Sequence, residues 1–225
     1  MNDRSQIPSA ILSLISDVGI TVTDIIVSKW ADQSGSGNDA VAFVQNSGPV
    51  VPTQTLNNRQ ILQIQGPLKV PLTSSSAYTV FAVVQPLIAK TEGDVFLGSN
   101  NSTGSSMALA VGSAPGYGAG WTGPARNINL GSSDFIPVGA FKLLSYVKKT
   151  SGIDIYCNGQ FVRFIADTSV FNYAGDHNWV IGRECEGTDG YYFQGLIAEL
   201  LILEEALPNG RLKKVEKEIM SYWGL

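Results

Sequence analysis

The chain predicts an all-β sandwich of two antiparallel sheets closed by one C-terminal helix, and three observations carry this. Charged residues make up only 15% of 225, while Gly, Ser, Thr and Asn are abundant. That mixture suits many short strands joined by turns, not long helices or disorder. Second, residues 153–157 and 160–165 flank Asn158-Gly159, a dipeptide that tolerates positive φ at both positions and so closes a tight hairpin. Third, β-branched and apolar runs recur between turn clusters, and only the last stretch changes to helical spacing.

In chain order, residues 11–15 read as a first strand or a short helix, after an N-terminal arm over 1–10. Residues 20–27 are rich in Thr, Val and Ile and favour strand. Residues 78–84 are almost wholly apolar, as a strand buried on both faces must be. Residues 95–97, 108–111 and 141–147 are further strands, and 196–203 is a long apolar strand expected at the centre of a sheet. Segments 98–106 and 112–123 are Gly- and Ser-rich and read as surface loops or loop–strand mixtures. Over 209–223, Leu212, Val215, Ile219 and Tyr222 follow helical spacing, with Lys213, Lys214, Glu216, Lys217 and Glu218 on the wet face and Gly224 as the stop. No internal repeat or second domain shows, so one domain over 1–225 is expected. A chain of this length buries roughly 70% of its unfolded surface and needs no staple.

Composition excludes several functions. The formal net charge is −4 with no Lys/Arg cluster, so a nucleic-acid partner is not expected. No apolar run is long enough to span a membrane. The first residues lack a basic segment followed by an apolar core, so no signal peptide is expected. Two cysteines, Cys157 and Cys185, are too few for a disulfide framework. Cys157 sits at an inward-alternating position and reads as a small buried apolar residue.

Residues 27–40 read VSKWADQSGSGNDA. Trp30 supplies a large buried plug. Asp32 and Ser34 are placed to accept hydrogen bonds from the turn that follows, and Gly35 and Gly37 suit that turn. Residues 57–66 (NNRQILQIQG) read as turn, strand and glycine. The last third adds Asn158-Gly159, Gly182, the segment GLIAE with Gly195 and Glu199, and an ending in YWGL. In this order the motifs resemble a laminin-G-like domain of the concanavalin A-like lectin/glucanase superfamily, over roughly residues 10–225 and most closely in 27–40 and 153–225. The family pattern V-x-x-W-x-D-x-S-G-x-G-x-x-A is matched at every fixed position. An Asp often found before the glycine of the 57–66 element is Gln65 here. The resemblance implies a two-sheet antiparallel jelly-roll, with the helix against one edge or end. It implies a fold used for glycan binding, protein adhesion and, in some relatives, glycan cleavage, and fold does not choose among them.

Cleavage needs two carboxylates flanking the scissile bond. The glucanase branch places them on one strand as E-x-D-x-x-E, which is absent. His177 is the single histidine and no G-x-S-x-G elbow exists, so a Ser-His-Asp triad has no footing. The expectation is therefore no catalytic residue. Calcium is the remaining cofactor option, since relatives bind it through loop carboxylates. Asp176, Glu184, Glu186 and Asp189 are the candidate ligands, with Asp32 and Asp39 a second pair, against the plainer reading of turn caps. Tyr117, Trp121, Tyr173, Tyr191 and Tyr192 are loop-borne or loop-flanking aromatics able to stack on a sugar. Glu199, on an apolar strand, must be paired if buried, and Arg183 or a backbone turn is the expected partner.

Two functions follow. The first is a non-enzymatic structural or adhesion module. A chain without a leader, in a fold usually displayed outside cells, fits a phage virion surface protein such as a capsid decoration (cement) protein. That protein would act through contacts with virion subunits, as a homo-oligomer, on the virion surface or otherwise outside cells. The alternative is a carbohydrate-binding, lectin-like module, with or without calcium.

Overall fold

The computed structural model describes residues 7, 9–44, 47–72, 77–88, 94–99, 106–111, 121–122, 138–166, 179–183 and 192–225. The strands run β1 (Ala10–Ile15), β2 (Ile20–Thr23), β3 (Ile26–Trp30), β4 (Ala40–Ala42), β5 (Thr55–Leu56), β6 (Arg59–Gln60), β7 (Leu62–Gln63), β8 (Leu68–Val70) and β9 (Tyr78–Pro86). They continue as β10 (Asp94–Ser99), β11 (Ser106–Val111), β12 (Trp121–Thr122), β13 (Lys142–Lys149), β14 (Gly152–Cys157), β15 (Gln160–Ala166), β16 (Trp179–Ile181) and β17 (Gly195–Leu203), and the chain closes with helix α1 (Asn209–Trp223). The two readings of residues 11–15 resolve to strand.

One sheet has the order β1-β17-β9-β13-β14-β15, with β7 also pairing β17. The other has the order β12-β11-β10-β16-β8-β4-β3-β2. The ladders are antiparallel. β17 lies between β1 and β9, the central place its apolar run predicts.

The near-continuous apolar runs of β9 and β17 have a direct cause: both faces are covered, and every residue of both strands is buried. Val80, Ala82 and Val84 of β9, with Leu200 and Ile202 of β17, join Trp30, Phe96 and Tyr146 in the core between the sheets. Phe81 and Val83 of β9, with Leu201 and Leu203 of β17, face outward and meet Leu212, Val215, Ile219 and Trp223 of α1. The helix thus covers the outer face of this sheet, and does not rest at an edge or end as the resemblance implies. A face this apolar cannot be left in water, and each large side chain buried contributes about 1.5–3 kcal/mol.

Two acidic residues lie under the helix. Glu216, expected on the wet face, is fully buried. Its Oε1 accepts a hydrogen bond from Ser145 Oγ of β13 at 2.8 Å, and Lys213 Nζ lies 3.5 Å from its Oε2. Glu199 owes its direction to a register shift in β17. Ile197 pairs with Val84 but Glu199 pairs with Val83, so the strand carries an irregularity between them. One extra residue reverses the alternation and turns Glu199 from the inter-sheet core toward α1. There Trp223 Nε1 donates to Glu199 Oε2 at 2.6 Å. The buried carboxylate that the sequence says must be paired is thus met by the helix tryptophan.

The helix ends on Gly224, in the left-handed region at φ 71°, whose N–H donates to Met220 O. The β5–β6 hairpin clamps this end. Asn57 Nδ2 and Arg59 Nε donate to Tyr222 O at 2.9 and 3.3 Å. The Arg59 guanidinium sits 3.8 Å from the Tyr222 ring centroid and pairs with Asp17 at 2.9 Å, while Tyr222 Oη donates to the Asp17 carboxylate at 2.9 Å. Burial, then the hydrogen bond and negative charge of Asp17, push the Tyr222 phenol up to about 12.

Candidate functional site

The 27–40 motif folds as a closed polar knot. Trp30 is fully buried and donates from Nε1 to Ile15 O at 3.0 Å. Asp32 Oδ1 accepts from the N–H groups of Ser13 and Ser34 at 2.8 and 2.9 Å. Its Oδ2 accepts from Ser34 Oγ at 2.7 Å and from Asn38 N–H at 3.0 Å. Asp39 pairs with Lys29 at 2.5 Å and accepts from Asp32 N–H at 2.8 Å; the Lys29 contact first, then the Asp32 N–H, hold its carboxyl below the usual carboxylate range. Gly35 carries the turn at φ 88°. With four donors on one carboxylate, Asp32 fastens β1 to the β3–β4 turn, and Asp39 caps the same turn.

Asn158 (φ 46°) and Gly159 (φ 75°) form the expected hairpin turn between β14 and β15. Asn158 also binds β13: its N–H donates to Leu143 O and its Oδ1 accepts from Leu143 N–H, both at 2.8 Å. Lys213 of α1 donates to Gly159 O, so the turn is also an anchor for the helix. Neighbouring Cys157 carries a free thiol, half-buried against the inter-sheet core, and burial pushes its pKa up.

Gly182 and Gly195 mark the candidate site. A side chain at Gly182, whose φ is +85°, would stand 2.5 Å from Ile64 Cγ2. One at Gly195 would stand 2.2 Å from the Phe193 ring and 2.5 Å from Gln85 O. Hydrogen bonds from Gly182 N–H to Phe96 O, Phe193 N–H to Gly182 O and Ile64 N–H to Gly195 O, at 2.7–3.0 Å, tie together four segments: β10, Gly182, residues 193–195 and the end of β7. They enclose a cleft of 520 Å³ between the β7–β8 connection, the end of β9, Gly182 and the residues leading into β17. Its lining includes the apolar residues Ile64, Pro67, Leu87 and Phe193 and the glutamines Gln63, Gln65 and Gln194. Tyr192 lines it and is 45% exposed. Arg183 bridges to Tyr192 by backbone pairing, places its guanidinium 4.6 Å from that ring's centroid and donates to Tyr192 Oη at 3.1 Å.

Of the expected aromatics, Tyr192 is the one whose described side chain lines this cleft. Trp121 lies on β12, beside Met107 at one edge of the second sheet, and its side chain is outside the described residues. Tyr117, Tyr173 and Tyr191, and the metal candidates Asp176, Glu184, Glu186 and Asp189, also lie outside the described residues. Among the described residues no group of three or more His, Cys, Asp or Glu is placed to hold a metal ion. Gln63, Gln65 and Gln194 were not singled out from sequence. The one available signal was Gln65, which stands where the resembled family often has Asp and is exposed on the cleft wall.

The two-sheet sandwich, its covering helix and this cleft define a lectin-type fold. The chain belongs to the concanavalin A-like lectin/glucanases superfamily, whose Laminin_G_3 model matches residues 54–211. That match leaves the 27–40 motif outside it. Domain 4 of AbnA, a GH43 extracellular arabinanase from Geobacillus stearothermophilus, solved with arabinotriose, is similar with a TM-score of 0.69 and 17% identity, over 92% of this chain and 98% of that domain. The Trypanosoma rangeli sialidase bound to sialic acid is similar at 0.65 and 14%, over 92% of this chain but 32% of its own. The botulinum neurotoxin serotype D binding domain follows at 0.62 and 16%, over 94% and 51%. At these identities the likeness is one of fold. No curated protein matches the sequence, and no helix among the described residues is long and apolar enough to cross a membrane.

Proposed function

We propose that this chain is a non-catalytic carbohydrate-binding module that takes an oligosaccharide in the Tyr192 cleft. The lining of that cleft carries the reading: an exposed tyrosine, three glutamines and several apolar residues. A sugar offers flat C–H faces that stack on a ring, and hydroxyls that each donate and accept, as an amide does. The arabinanase domain lends support, being seen with arabinotriose and matched over 98% of its length. The described lining holds no carboxylate, whereas glycoside hydrolysis uses a pair, so the reading stops at binding. Calorimetric titration with a panel of oligosaccharides, beside Tyr192→Ala and an assay for released reducing ends, tests it. Binding lost in the variant, with no turnover, is the expected result. Turnover makes the protein an enzyme, and binding unchanged in the variant removes the cleft from the account.

A second reading, a virion surface or adhesion protein acting through protein contacts, such as a capsid decoration protein, draws on β15. This strand is a sheet edge, and its Phe161 and Phe164 are 57% and 46% exposed. Light scattering separates the two. A stable oligomer that dissociates on Phe161→Ser favours the second reading, and a monomer counts against it.

A further inference from the structure

We infer that Arg183 is a positioning residue for saccharide binding: its guanidinium holds the Tyr192 ring in place for the ligand, and it sets affinity through that ring and not by touching the sugar. This rests on the reading of the Tyr192 cleft as a saccharide site and names the residue that prepares it.

Tyr192 enters the cleft from a fixed base. Its backbone pairs, antiparallel, with that of Arg183, nine residues earlier in the chain. Beside this pair, Gly182 N–H donates to Phe96 O at 2.7 Å, and Phe193 N–H donates to Gly182 O at 3.0 Å. The Phe193 side chain is buried in the inter-sheet core. The backbone of Tyr192 is therefore held on both sides, and the freedom left to it lies in the two torsions of its side chain.

Arg183 restrains those torsions at two points of the ring. Its Cζ lies over the ring, 4.6 Å from the centroid, and its Nη2 donates to Tyr192 Oη at 3.1 Å. The stack fixes the tilt, and the hydrogen bond fixes the tip. The guanidinium keeps this place although its Nε is buried with no hydrogen-bond partner among the described residues, so the ring contact outweighs a forgone bond. Its planar shape and fork of N–H donors let one side chain do both, which an ammonium does not. Tyr192 is nevertheless 45% exposed and lines the cleft, while Arg183 is not among the described lining residues. An exposed tyrosine loses rotamer freedom when a ligand covers it. One already fixed by a neighbour has less to lose, and the ligand binds more tightly for it.

The test is calorimetric titration of the full chain, Arg183→Ala, Tyr192→Ala and the double variant with arabinotriose, xylotriose, cellotriose, sialyllactose and trigalacturonate. For the probe bound most tightly, Arg183→Ala is expected to lower affinity about threefold to tenfold and Tyr192→Ala about tenfold or more. The double variant binds no more weakly than Tyr192→Ala, because without the ring there is nothing to position. Arg183→Lys recovers only part of the loss. In chain labelled with ¹³C in the tyrosine rings, the signal that Tyr192→Ala removes reports the ring itself. Its relaxation in the free protein shows faster motion in Arg183→Ala than in the unsubstituted chain. Where Tyr192→Ala binds too weakly for the cycle to be read, this signal decides. An Arg183→Ala loss that persists in the Tyr192→Ala background means that the guanidinium meets the ligand directly, and overturns the inference. Unchanged affinity or an equally rigid ring in Arg183→Ala also overturns it, and leaves the saccharide reading standing if Tyr192→Ala still weakens binding. No binding to any probe, or binding that Tyr192→Ala leaves unchanged, overturns both.

Discussion

The Asp32 turn and the Tyr192 cleft are built from the same kinds of polar residue, yet they differ in where their hydrogen bonds go. In the turn, the Asp32 carboxylate takes four donors from its own chain, and Asn38 Nδ2 reaches back to Ile11 O at 2.6 Å. In the cleft, Gln65 and Gln194 stand exposed beside an exposed ring, over backbone already tied by its own bonds. A polar cluster that satisfies itself is a fastening. Glutamines and a tyrosine exposed on a cleft lining are what the proposed binding would use.

Substitutions divide along that line. Trp30→Ala empties the plug beneath the turn and costs about 4 kcal/mol, read as a shifted midpoint in denaturant. Asp32→Ala strands several N–H groups at once and costs about 3 kcal/mol. An unchanged midpoint in either variant breaks the contrast. Tyr192→Ala leaves stability within about 0.5 kcal/mol while oligosaccharide affinity falls about tenfold. Equal damage to both quantities would make the cleft another fastening. Tyr146→Phe is smaller and of opposite sign. Its hydroxyl is buried in the inter-sheet core with no hydrogen-bond partner among the described residues, and burial pushes its pKa far up. Removing it raises stability by about 1 kcal/mol.

The smallest effect is confined to alkaline pH and concerns a third polar cluster, at the end of α1. The Tyr222 phenol is raised from 10.0 to about 12 in the folded chain. Its protonated form is therefore favoured by folding. That contribution is full below pH 10 and is lost as pH rises through about 12. Tyr222→Phe removes this part of the alkaline stability loss, and a pH series of thermal melts on both proteins measures it.

Much of the fold was legible because it rests on local signals. Asn158-Gly159 can close a hairpin by itself, and Leu212, Val215 and Ile219 announce a helix with one apolar face. What that face meets was not legible, since periodicity gives the stripe and not its partner. Glu216 looked solvated because its neighbours are, and only Ser145, on a strand far away in sequence, explains its burial. Glu199 was recognised as needing a partner, but the bulge that aims it at Trp223 depends on how β17 pairs with β9. Tyr192 was singled out for being aromatic near loops. The glutamines beside it were missed because nothing in the local sequence marks an amide as lining a cleft that distant segments build.

The position of β17 sets a timetable. The strand at the middle of its sheet follows every other strand in chain order, and β1, among the first, finds its ladder only there. During synthesis, β1 and one side of β9 wait unpaired until residues 195–203 have left the ribosome, and the helix that seals the outer face comes later still. Such a chain folds by long-range closure, in the slow regime of β-sandwiches. A ribosome that stops before residue 195 releases two sticky edges in place of a partly working domain.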